Sequence, residues 1–213
     1  MSNYIFLPVV SGDMLSLANI IQRFFAGNPA GPIVDILKNN YVSGWKKGAM
    51  RKLGKGCLRN LQSQDTLYIV SHGAGKPGSD SIGETRDDGA LKKYTQEELA
   101  GVLKAEGLPS SFRNVHLLTC GSGLMNKNTI DFSPKAAKIL GTNQVRDPKL
   151  VKSLRNRKSV ARQLCNAMKK NGYKNIQVTG YLGEISLFPP NRVSIKNYFT
   201  KQEQDLSWKV VAG

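Results

Sequence analysis

Two apolar runs in this chain stop in the same way. "LYIVSHGAG" at 67–75 ends its run at His72, and "VHLLTCGSG" at 115–123 ends its run at Cys120, each reactive side chain being followed at once by glycine. A cysteine attacks as the thiolate, and an imidazole beside it takes the proton and later returns it to a leaving group. The attacked carbonyl also needs N–H donors for its oxyanion, and a backbone without a Cβ lets a substrate oxygen come close. The pattern therefore points to acyl transfer, with His72 as base, Cys120 as nucleophile, and the N–H groups of Gly73 and Cys120 as the oxyanion hole. His116 alternates with the apolar residues inside "NVHLL" and reads as structural. Cys57 lies in a basic segment and Cys165 on the apolar face of a helix, and neither motif carries a base. With three irregularly spaced cysteines and no C-x-x-C pair, neither a disulfide scaffold nor a metal site is expected.

These residues need elements to carry them. "YIFLPVV" at 4–10 reads as a first strand. The helix after Asp13 places Leu17, Ile20, Ile21, Phe24 and Phe25 on one face, with Gly27 as its stop. Residues 44–61 are expected to form a second helix, with Lys47, Arg51, Lys55 and Arg59 four apart. "TLYIV" is the strand leading to His72, and 74–93 has the Gly, Ser, Asp and Pro content of a long loop. Thr95 and Glu98 form a capping box before a helix that stops at Gly107. "NVHLLT" is the strand leading to Cys120. Asp147-Pro148 and Ser159 read as helix starts, the second helix burying Ala161, Leu164, Cys165 and Met168 until Asn171-Gly172. Strands at 175–183, "RVSIKNYF" and "LSWKVV" follow. This alternation implies an α/β sandwich with a mostly parallel sheet covered by helices on both faces. In such sheets ligands bind beyond the carboxyl ends of the strands, where both His72 and Cys120 fall.

The 213 residues are enough for one domain spanning 1–213. The N-terminal "MSNYIFLPVV" lacks the basic start and long apolar run of a signal peptide, and no segment reaches membrane-spanning length. The expected location is the cytoplasm. Thirty-one Lys and Arg against fifteen Asp and Glu give a formal charge of +16, a strong positive potential suited to an anionic partner. Residues 44–60 contain six basic residues and no acidic one. No RNA-binding signature or helix-turn-helix spacing accompanies the charge, so a nucleic-acid partner is not expected, although a basic polyanion-binding module stays open as an alternative function.

An apolar block ending in His-Gly, followed about 50 residues later by an apolar block ending in Cys, resembles the caspase-like (clan CD) cysteine peptidases. "YTQEELAGVLKAEGL" and "SVARQLCNAMKKNGYKNIQVTGYLG" are similar to segments of the self-processing protease domains of large bacterial toxins. The likeness covers roughly residues 65–210; the caspase "QACxG" block is absent, and 124–158 reads as an insertion relative to the toxin domains. The resemblance implies a caspase-like three-layer sandwich and a thiol endopeptidase acting on protein substrates through a His72–Cys120 dyad and a thioester acyl-enzyme. It further implies a virulence effector delivered into a host cytosol by a route without a signal peptide. No cofactor is required for the chemistry. A small polyanion such as inositol hexakisphosphate is the implied activator, on Lys47, Arg51, Lys55, Arg59, Arg155, Arg157 and Lys158. The first substrate pocket is implied near Ser71, Thr119 and 179–185, with Asp80, Glu84, Asp87, Asp88 and Glu184 as its acidic candidates. Another cysteine acyl-transfer enzyme, a deamidase or transpeptidase, remains the alternative on the same dyad.

Overall fold

β1 (Asn3–Leu7) alternates its side chains between two apolar layers, Phe6 facing one and Ile5 and Leu7 the other, so the strand must lie in the middle of the molecule. The computed structural model describes residues 2–26, 34–38, 56–73, 81–85, 91–120, 122, 159–181, 183–188, 192–196, 203–204 and 209–213. β1 pairs in parallel with β2 (Val34–Lys38) on one side and β3 (Thr66–Val70) on the other. β3 pairs in parallel with β7 (Asn114–Leu118), and β7 with β8 (Gln177–Tyr181). β12 (Lys209–Ala212) closes that edge antiparallel to β8, giving the order β12-β8-β7-β3-β1-β2. The sheet is mixed and mostly parallel, and the fold is α/β.

Among the described residues three helices cover it. α1 (Gly12–Ala26) puts Met14, Ala18 and Ile21 against Ile5, Leu7, Tyr68, Val70 and Leu118. The sequence reading centred this face on Leu17 to Phe25; the buried stripe starts one turn earlier, at Met14, while Leu17 and Phe24 flank it. α2 (Gln96–Ala105) and α3 (Val160–Lys170) supply Leu99, Leu103, Leu164 and Met168 to the opposite layer, with Phe6, Leu67, Ile69, Val115 and Leu117. Both starts are capped as expected. The Thr95 hydroxyl accepts the Glu98 N–H at 3.2 Å while the Glu98 carboxylate accepts the Thr95 N–H at 2.8 Å, and the Ser159 hydroxyl accepts the Arg162 N–H at 3.2 Å. Each cap satisfies donors that the first helical turn leaves unpaired, worth about 1 kcal/mol. After both helices the chain turns at a glycine with positive φ, 82° at Gly107 and 100° at Gly172.

Among the described residues two small sheets flank the large one, and each contains strands that the sequence reading does not mark, although β10 (Arg192–Lys196) falls within the expected strand "RVSIKNYF". The segment expected to be one long loop contains β5 (Ser81–Thr85) and β6 (Leu91–Thr95), antiparallel to each other and joined by β4 (His72–Gly73). Among the described side chains of this hairpin only Ile82 and Tyr94, directly opposite in register, are buried and apolar, and Leu91, three positions before Tyr94, does not extend them into a period-2 signal. β9 (Glu184–Phe188), β10 (Arg192–Lys196) and β11 (Glu203–Gln204) form the second sheet, on the α1 side through Val193 and Ile195. Neither β2 nor β9 is marked by the sequence pattern as a separate strand.

The expected helix at 44–61 does not extend through its described end. Gly56 takes a φ of 71° and the Arg59 N–H bonds the Gly56 carbonyl at 3.2 Å, so Cys57–Asn60 is a turn. Arg59 therefore does not continue a helical stripe from Lys55. Lys47, Arg51, Lys55, Arg155, Arg157 and Lys158 lie outside the described residues, as do the insertion at 124–158, the start at Asp147-Pro148, the stop at Gly27, and Asp80, Asp87 and Asp88. Among the described residues no helix is long and apolar enough to cross a membrane.

Candidate active site

β3 and β7 run side by side in parallel with Val70 opposite Leu118. His72 lies two residues beyond Val70 and Cys120 two beyond Leu118, so the two chains carry them to the same sheet edge. At Ser71 the first chain leaves the large sheet. The Ser71 hydroxyl, buried, donates to the Gly83 carbonyl at 3.1 Å, and His72 pairs with Gly83 and Gly73 with Ile82 in the β4–β5 ladder. That turn leaves His72 exposed and Gly73 half-buried, pressed against the other chain.

The contact at Gly73 is close enough to dictate its residue type. A Cβ built there would stand 2.6 Å from the Cys120 carbonyl oxygen and 3.6 Å from the Cys120 Cβ. Real Cβ atoms do not approach a backbone oxygen that closely, so only glycine lets the His72 strand lie against Cys120 as it does. The rule that glycine follows each reactive residue thus has a packing cause at Gly73. Gly83 is constrained in the same way, its Cβ position lying 2.6 Å from the Lys92 carbonyl oxygen.

Cys120 is half-buried, and its Sγ accepts the Ile185 backbone N–H at 3.4 Å. Among the described strands β9, which carries Ile185, lies at the edge of its sheet, so its backbone is placed to direct an N–H at the sulfur. An N–H aimed at a sulfur favours its thiolate over its thiol. The stretch at 179–185, expected to border a substrate pocket, does reach Cys120, but through the main chain of Ile185. Thr119 is buried, and its hydroxyl has no hydrogen-bond partner among the described residues.

The other two cysteines have surroundings that suppress reaction. Burial pushes the Cys57 thiol up to about 12, helped by a hydrogen bond to Glu106 and by that carboxylate's charge. Cys165 is fully buried in α3, its sulfur 3.7 Å from the Ile176 carbonyl, and burial raises its pKa as well. His116 is structural, as its alternation predicts. Its Nδ1 lies 3.0 Å from the Tyr181 hydroxyl and its ring 4.8 Å from that of Tyr68. Burial, with the Lys209 charge nearby, lowers its pKa to about 4, so it is neutral at pH 7.

Two contributors to the site escape sequence reasoning: the Ile185 amide, because a backbone donor leaves no mark in composition, and Ser122, whose partners lie at Leu117 and Tyr181. The serine in "CGSG" reads only as a turn residue. At the opposite end of the sheet, where β7 and β8 begin, lies a cleft of about 740 Å³ lined by Arg113, Lys169 and Lys174 among polar neighbours. It is remote from Cys120 and shares no residue with the expected polyanion set. Among the described residues no group of three His, Cys, Asp or Glu could hold a metal ion.

The class defined by these observations is an α/β protein with a mostly parallel sheet and a histidine and a cysteine at neighbouring strand ends. Compared with known proteins, the sequence matches no family model and no curated relative.

Proposed function

We propose that this chain is a cysteine endopeptidase of caspase-like architecture, with Cys120 as nucleophile and His72 as general base and acid. The observation that carries the reading is the β3–β7 register together with the Gly73 contact on Cys120, which bring the two motifs to adjacent strand ends. The Cys120 thiol gives its proton to His72, and the sulfur forms a bond to the scissile carbonyl carbon while the C=O π electrons move to oxygen. The N–H groups of Gly73 and Cys120 hold that oxyanion. As the oxyanion collapses, the C–N bond breaks and His72 protonates the departing amine, leaving a thioester on Cys120. Water, losing a proton to His72, attacks the thioester and releases the acid and the thiol. His72 is exposed, so water can reach it beside the thioester.

The toxin-type effector role and activation by a small polyanion belong to the same proposal and rest on the resemblance and on the +16 charge. The test is a peptide library incubated with the protein, its new termini read by mass spectrometry. Cleavage at a consistent residue supports the reading, while amide hydrolysis of Gln or Asn side chains with intact backbones would replace it by a deamidase.

A further inference from the structure

Ser122 uses every hydrogen-bonding group it has. It is 1% exposed. Its hydroxyl donates to the Leu117 carbonyl at 2.8 Å and accepts the Tyr181 N–H at 3.0 Å. Its own N–H donates to the Thr119 carbonyl at 3.1 Å, and its carbonyl accepts the Ala161 N–H at 3.0 Å. The last β7–β8 pair in register is Leu117 with Gly180, so the hydroxyl supplies the next rung where β7 has already turned away. The Thr119–Ser122 bond closes a turn with Cys120 at its first corner, and the Ala161 bond ties that turn to the start of α3.

We propose that Ser122 is a positioning residue that fixes the Cys120 turn between β8 and α3 and so holds the Cys120 sulfur against the Ile185 amide. The proposal rests on the reading of Cys120 as nucleophile only for its consequence in catalysis; the geometry and the test concern the thiol itself. Without the hydroxyl, the Leu117 carbonyl and the Tyr181 N–H lose their shared partner inside the molecule, and the turn is free to relax away from β9. The sulfur then loses the donor that favours its charged form, so its ionisation moves to higher pH.

The experiment measures alkylation of Cys120 by iodoacetamide against pH in the full chain, with peptide mapping to separate Cys57 and Cys165. Ser122→Ala moves the midpoint of the Cys120 profile up by about one pH unit, slowing alkylation about tenfold below the midpoint. Ser122→Thr, which keeps the oxygen, restores the parental midpoint. Tyr173→Phe is the control. It removes the buried hydroxyl that donates to the Leu108 carbonyl at 2.9 Å, in the apolar layer on the far side of the sheet, and leaves the Cys120 midpoint unchanged. A folded alanine variant with the parental midpoint overturns the proposal, as does an equal shift in the Tyr173 variant. If the alanine variant does not fold, the threonine variant decides: the parental midpoint supports the role of the hydroxyl and a shifted one overturns it. Because alkylation needs no substrate, a failed peptidase assay leaves this result standing, and the reverse also holds.

Discussion

Gly73→Ala is the substitution whose outcome the structure determines most tightly. The new methyl would stand 2.6 Å from the Cys120 carbonyl oxygen, and an ordinary contact needs about 0.8 Å more. No flexible side chain can absorb the difference, because the atom in the way is backbone. Either β4 or the Cys120 turn must shift, a strain of about 1–3 kcal/mol by analogy with overpacked cores. For a chain of this length that is a fall in Tm of about 2–12 °C. A displacement approaching 1 Å between nucleophile and base lowers turnover by about 100-fold. Gly101→Ala is the matched control, since its Cβ position on α2 meets nothing within 4 Å. There alanine raises helix propensity and stabilises by about 0.5–1 kcal/mol. Melting curves, the Cys120 alkylation rate and peptide cleavage are measured on both variants. A Gly73→Ala protein with parental Tm and parental activity refutes the close approach of the two strand ends.

Iodoacetamide at pH 7 labels Cys120 ahead of Cys57 and Cys165, because burial and Glu106 hold the Cys57 thiol protonated and Cys165 is enclosed in α3; peptide mapping that finds Cys57 first contradicts this. With its pKa at about 4 when folded and 6.5 when unfolded, His116 binds a proton only in the unfolded chain between those values. Stability is therefore lost as pH falls from 6.5 toward 4, by about 3 kcal/mol at 1.36 kcal/mol per pH unit. His116→Gln has a flatter Tm profile over that range, and equal slopes in the two proteins would count against the burial of a neutral ring. Thr95→Ala breaks the α2 capping box, lowering stability by about 1 kcal/mol and Tm by about 2–4 °C with the Cys120 alkylation rate unchanged; an unchanged Tm would show that the cap contributes nothing.

The parts legible in the sequence are those where local chemistry and pattern agree. The Thr95 and Ser159 caps, the glycine stops at 107 and 172, and the apolar runs of β3, β7 and β8 each carry their signal within a few residues. His72 and Cys120 stand out because the same reading places both at strand ends. The β5–β6 hairpin escaped because, among its described side chains, Ile82 and Tyr94 alone are buried and apolar, and the charge and turn residues around them outweigh two positions. Arg59 was assigned to a helical stripe by its spacing from Lys55, yet the positive φ at Gly56 ends any such stripe before it. What holds Cys120 in place was illegible for a different reason. The Ile185 amide and the Ser122 hydroxyl act through partners distant in sequence, and only the fold brings those partners together.

The central claim is tested most directly by giving a peptide that the parent protein cleaves to Cys120→Ala and His72→Ala variants, with circular dichroism to verify their folds and Cys165→Ala as the cysteine control. Nucleophile and base act on the same step, so the account predicts that either dyad substitution abolishes cleavage while Cys165→Ala retains it. A folded Cys120→Ala protein that still cleaves the peptide would contradict the account.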